Sequence, residues 1–162
     1  MTENEIAEVN RLLNKLEPGF LPEQIFYQIS RLAVLSAAEI AVLRRNSDKI
    51  EALLIKRPDD DPFFAGLWHT PGSMYISGDS IEKRPHEVLK NELPNTKFTS
   101  ELKYLLDSEI VQYARGNVLE RIYMIEASDS SDGVFFPIDD LPSNLVTYHD
   151  KIIEIAANKL NG

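Results

Sequence analysis

Apolar residues open the chain at helical spacing. Ile6, Val9, Leu12, Leu13 and Leu16 fall on one side of a helix predicted over 3–16. Glu17-Pro18-Gly19 breaks it. A second helix is predicted from Pro22, whose fixed φ suits a first helical position, with Ile25, Phe26, Ile29 and Leu32 along one side. Packing against a sheet is the simplest reading of both helices; a dimerisation arm is the alternative. From Ala38 the period shortens. Residues 39–44 and 50–56 read as strands joined by a turn containing Asn46 and Asp48. Further strands are predicted over 73–76, 101–113, 119–126 and 134–136, with helices within 80–93 and over 145–160. Strands that bracket one helix and precede another imply an α/β domain over 38–162, a mixed sheet between helical layers. Residues 1–37 would be a helical extension packed on it.

A chain of 162 residues can bury a substantial single core, and 43% hydrophobic with 27% charged residues is ordinary for a globular fold. There are no cysteines, which excludes disulfides, thiolate metal sites and a cysteine nucleophile, and fits a reducing cytoplasm. Residues 1–14 lack the basic-then-apolar order of a signal peptide. No apolar run approaches the ~20 residues that span a bilayer, so no membrane partner is expected. The formal net charge of −9 repels phosphate backbones and argues against nucleic acid as a partner. It leaves room for a local basic pocket that takes a small phosphate ligand.

Few motifs carry chemistry. No phosphate-cradling Gly-Lys-Ser/Thr loop, His-Glu-x-x-His or Gly-x-Ser-x-Gly occurs. His69, His86 and His149 are far apart in sequence, without metal-ligand spacing. Gly66 and Gly72 allow backbone conformations or close approaches that a side chain forbids. Trp68 offers core packing or a stacking face for a base. Asp59, Asp60 and Asp61 read as a solvated loop before a metal site.

Two segments resemble the Nudix superfamily. Residues 57–72, ending Gly66-Leu67-Trp68-His69-Thr70-Pro71-Gly72, are similar to the family's "R…GLW.lPGG" segment, which leads from a strand into its catalytic box. Phe135-Phe136-Pro137-Ile138-Asp139-Asp140-Leu141-Pro142 resembles the "wfpldeLp" segment before the family's final helix. The resemblance covers roughly residues 38–162. It implies a Nudix-type α/β/α sandwich with a mixed β-sheet and an N-terminal helical extension.

The box, G-x5-E-x7-R-E-U-x-E-E-x-G-U with U aliphatic, matches poorly. Its best register puts Ser73 at the first glycine, Asp79 at the first glutamate, Glu87 and Val88 at Arg-Glu, Leu89 at U, and Asn91 and Glu92 at Glu-Glu. Glutamates at i, i+3 and i+4 would share one helix face and hold Mg²⁺ against a pyrophosphate. Here that face is Val88, Asn91 and Glu92, with one carboxylate. Pro85 would also disturb a helix interior; the helix would then start there. Glu82, Glu120 and Glu126 are other candidate acids.

If the chain is an enzyme, the resemblance implies Mg²⁺-dependent hydrolysis of a nucleoside diphosphate linked to another group. Glu92 and Asp79 would then be the catalytic and metal-binding residues. Arg57 or Arg44 would contact phosphate, and Trp68 with Phe63 or Phe64 would line the ligand site. The loss of box carboxylates favours two alternatives: a module that binds a nucleotide-type ligand without turnover, or a protein-interaction module, such as a homodimer, acting through the first helices.

Overall fold

The structure, a computed structural model, describes residues 1–17, 19 and 21–161. Pro18 of the predicted break lies outside the described residues. Helix α1 (Glu3–Leu13) starts on a reciprocal cap: Thr2 Oγ1 accepts from the Glu5 N–H at 3.3 Å, and the Thr2 N–H donates to Glu5 Oε2 at 2.6 Å. It stops before the predicted Leu16. Its stripe of Ile6, Val9, Leu12 and Leu13 stays exposed, and no residue of α1 is buried. Helix α2 (Glu23–Ser30) is the one that docks. Buried Ser30 at its end donates from Oγ to the Arg115 carbonyl at 2.6 Å. A Cβ on Gly116, where φ is +141°, would lie 2.3 Å from the Ser30 carbonyl oxygen. Glycine is what lets this turn close on α2. Leu32, predicted on the packed side, lies beyond the helix and is exposed.

Residues 37–43 are buried without interruption. A strand covered on both faces has no polar side to show, and this run is the middle of the sheet. Strand β1 (Val34–Asn46) is followed by β2 (Lys49–Lys56), β3 (Trp68–His69), β4 (Gly72–Met74), α3 (Lys83–Glu92), β5 (Thr96–Phe98), β6 (Lys103–Tyr113), β7 (Gly116–Ser130), β8 (Val134–Pro137) and α4 (His149–Asn161). The strands join in one mixed sheet of order β3-β2-β1-β7-β5, with β4 on β1, β6 on β7 and β8 on β2. Among the named strands of the described residues, β1 and β7 form the one parallel pair, which extends from Val34↔Asn117 to Leu43↔Glu126. That long pairing carries both strands past their predicted ends. β3 and β5 were not predicted; two or three residues are too few for a period to show.

The two faces of β1 read directly from its alternation. Ala41 and Leu43 pack with Ile122, Met124 and the α4 residues Ile152, Ile153 and Ala156. Ala38, Ile40 and Val42 pack with Val88 and Leu89 from α3 and with Leu93 just beyond it. The result is a sheet between helical layers, as the sequence predicts. Pro85 falls in the first turn of α3, where its missing N–H costs no helical bond. No helix among the described residues is long and apolar enough to cross a membrane.

Candidate functional site

The site forms where β1 changes partner. Its distal half pairs with β2, from Leu43↔Ala52 to Asn46↔Lys49, and its near half pairs with β4, from Ala37↔Met74 to Glu39↔Gly72. Between them the Ile40 N–H reaches the Pro71 carbonyl at 2.9 Å. The splay admits polar groups into the sheet. Glu39 shares the face of Ala37 and Ala41, and Glu120 shares that of Val118 and Ile122 on the parallel neighbour β7. His149 opens α4 above them, directly after Tyr148, whose φ of 75° turns the chain.

Glu39, Glu120 and His149 each place a potential ligand atom within 4.8 Å of the others, and all three are buried. They border a cavity of about 30 Å³ that is also lined by His69, Tyr113 and Arg115. Hydroxyls hold the carboxylates in place. Thr70 Oγ1 lies 3.1 Å from Glu39 Oε2 and 2.7 Å from His149 Nδ1, so its single proton is shared between two acceptors, and the Tyr113 hydroxyl donates to Glu120 Oε1. Glu120 Oε2 is buried with no hydrogen-bond partner. The Thr70 N–H donates to His149 Nδ1 at 3.0 Å, so that nitrogen is an acceptor and the ring proton belongs on Nε2. His69 Nδ1 donates to the Thr70 carbonyl at 2.7 Å.

Burial dominates the electrostatics. It holds Glu39 well above the usual carboxylate range, and repulsion from Glu120 adds to it. Burial also lifts Glu120 to about 7 against the Tyr113 hydrogen bond. The same cause lowers His149 to about 3 and His69 to about 4, which keeps both rings neutral.

In front of this cavity lies a cleft of about 720 Å³. Arg57, Phe64, Gly72, Met74 and Arg115 line both spaces. Phe26 and Tyr27 of α2 and Phe63 of the β2–β3 loop give the cleft an aromatic wall, with Tyr27 and Phe63 edge-to-face at 4.8 Å. Its cationic floor is Arg57 and Arg115. Arg57 is paired with Asp61 at 3.1 Å, whereas Arg115 Nε is buried without a hydrogen-bond partner. Burial, then the nearby Arg57 charge, lower the Arg115 pKa.

Glu92 also lines the cleft, and its Oε2 accepts from the Gly72 N–H at 3.4 Å. Burial lifts it to about 7. The other expected site residues lie elsewhere or are otherwise engaged. Asp79 Oδ2 accepts from the Ile76 N–H at 2.9 Å and pairs with Arg84 Nε at 3.3 Å. Trp68 packs edge-to-face on Phe136 at 5.0 Å and is not among the residues that line the cleft. Arg44 pairs with Glu51 at 2.6 Å. Asp61 caps its own loop, accepting from the Phe63 and Phe64 N–H groups. Val88 is buried in the core and Asn91 is exposed. Helix α3 therefore does not build the three-carboxylate face that would hold Mg²⁺ in the manner of the box.

Sequence separation hid the cluster. His149 has no metal-ligand spacing to any neighbour in the chain, yet the fold brings it beside Glu39 and Glu120. Glu39 carried a signal: it is the one charged residue in the run 37–43. Arg115 and Tyr113 carried none.

This fold is the Nudix fold, and solved structures of that fold superimpose on most of the chain. The Nudix domain of Shewanella oneidensis NrtR, complexed with ADP ribose, matches at 21% identity and a TM-score of 0.64, covering 99% of each chain. The MutT NUDIX hydrolase of Burkholderia pseudomallei matches at 22% identity and a TM-score of 0.59, covering 75% of this chain and 97% of its own. Shewanella oneidensis NrtR complexed with a 27mer DNA matches at 21% identity and a TM-score of 0.57, covering 76% of this chain and 61% of its own. No protein-family model matches the sequence, and no curated protein does.

Proposed function

We propose that the cleft binds a nucleoside diphosphate linked to a further group, of the ADP-ribose kind, and that α3 does not supply box-type metal catalysis. One observation carries this reading. Arg115 presents a buried, unpartnered Nε at the floor of a roomy cleft whose wall is aromatic. A buried guanidinium nitrogen without a hydrogen-bond partner is costly, and a phosphate oxygen would satisfy it with a charge-assisted bond. Arg57 stands beside it for the second phosphate, and Phe26, Tyr27 and Phe63 offer a stacking surface for the base. The ADP ribose bound by the Shewanella domain, a neighbour in fold, is consistent with a ligand of this size and chemistry. Residues ahead of the sheet then contribute to binding, because α2 forms one wall.

A hydrolytic reading rests on Glu92, a cleft carboxylate lifted to about 7. A base with that pKa is poised to take a proton from water near neutral pH.

A thermal-shift series separates ligand chemistry from turnover. ADP-ribose and ADP at 100 times their Kd should stabilise the protein by about 2.7 kcal/mol, a rise of about 5–10 °C, whereas adenosine should not. Equal shifts with adenosine, or none with any compound, would defeat the diphosphate reading. Release of AMP from ADP-ribose, lost in Glu92→Gln, would establish the hydrolytic one.

A further inference from the structure

We propose that Glu39 and Glu120, on the two parallel central strands, form a divalent-cation site in the small cavity behind the cleft, separate from the residues of α3. The cation would be a hard one of the Mg²⁺ or Mn²⁺ class.

Geometry supplies the first argument. The carboxylates lie within the 4.8 Å that also encompasses His149, and the space beside them is about 30 Å³. That is room for an ion with one or two waters and for little else. An unsatisfied atom supplies the second, independent one. Glu120 is 1% exposed, Tyr113 occupies its Oε1, and its Oε2 has no partner. An orphaned carboxylate oxygen at zero solvent contact is expensive, and a cation removes that cost directly.

The Tyr113 hydroxyl pins the outer oxygen of Glu120 in the manner of groups that orient ligating carboxylates, and Thr70 Oγ1 bridges Glu39 Oε2 and His149 Nδ1. His149 borders the space as an orienting wall. Its Nδ1 already accepts the Thr70 N–H, and ligation through Nε2 would strip the ring of its only proton. Oxygen ligands without nitrogen select a hard ion over zinc or copper.

The position also explains the second space. Gly72 and Arg115 line both cavity and cleft, so a cation here would face a phosphate held by Arg115. Mg²⁺ is commonly held by one or two carboxylates, with waters and phosphates completing its shell. The inference rests on the ligand reading above for this last step alone; the cation site stands on its own residues.

Mn²⁺ titrated into the full chain without nucleotide, followed by electron paramagnetic resonance, tests the site. One saturable Mn²⁺ per chain is expected. Glu120→Gln and Glu39→Gln should each weaken binding at least tenfold, with circular dichroism confirming that both still fold. Pulsed measurements should show no nitrogen coupling to the metal. Absence of binding to the wild type, or loss in Glu92→Gln with retention in Glu120→Gln, would overturn the proposal. Nitrogen coupling would overturn the all-oxygen ligand set. Because no nucleotide is present, failure here leaves the diphosphate reading to its own experiment.

Discussion

Gly72 faces Glu39 so closely that a Cβ on Gly72 would lie 2.2 Å from the Glu39 carboxylate. The two residues are paired across β4 and β1, and the carboxylate fills the space a side chain would take. Gly72→Ala must therefore push a buried carboxyl group aside. Such overpacking costs about 1–3 kcal/mol, which urea denaturation should record. In a Glu39→Ala background the same change should cost far less. Equal costs in the two backgrounds would show that the contact does not constrain the strand pair.

Restoring a glutamate to the α3 face should fail. Val88 is 3% exposed and packs among Leu89, Leu93 and Ile125. Val88→Glu would bury an unpaired carboxylate in that cluster, at a cost on the order of 3 kcal/mol or more. We expect a lower unfolding midpoint and no gain in hydrolysis. A Val88→Glu variant of wild-type stability would mean that this position faces solvent.

Stability of the metal-free protein should fall as pH rises through the range set by Glu92. Burial raises its folded-state value to about 7, from the 4.5 of an ordinary glutamate. Between these values the folded state keeps a proton that the unfolded state has lost, so stability decreases with pH. The full loss above pH 7 is on the order of 3 kcal/mol. Glu39 and Glu120, which burial also raises, contribute a slope of the same sign, so Glu92→Gln should lessen the slope in thermal melts taken from pH 4.5 to 8 without abolishing it. An unchanged slope would remove Glu92 as one of its sources.

Much of the architecture was legible because its strands are long and its helices amphipathic. The apolar run around Ile40 announced a central strand, and the Ile152, Ile153 and Ala156 spacing announced the helix that covers it. Short strands were not legible: Trp68–His69 is defined by pairing with Ile55 and Lys56, not by any pattern of its own. The site was harder to read still. Glu39, Glu120 and His149 converge through a parallel strand pair and a helix start, over sequence distances that spacing rules cannot bridge. Arg115 belongs to a turn, and only the docking of α2 and the Phe63 loop makes it a cleft floor. The box register falls on Asp79, which the fold uses to steady the loop entering α3 through Ile76 and Arg84.

If Arg115 anchors a diphosphate ligand, calorimetric titration of ADP-ribose into wild type and Arg115→Met will separate the two proteins. Saturable binding to the wild type and at least a tenfold weaker Kd in the variant are expected. The folded stability of Arg115→Met should be unchanged or higher, because a side chain with a buried, unpartnered Nε has been replaced by an apolar one. Equal affinity in the two proteins, or no binding to a folded wild type, would contradict the anchoring role of Arg115.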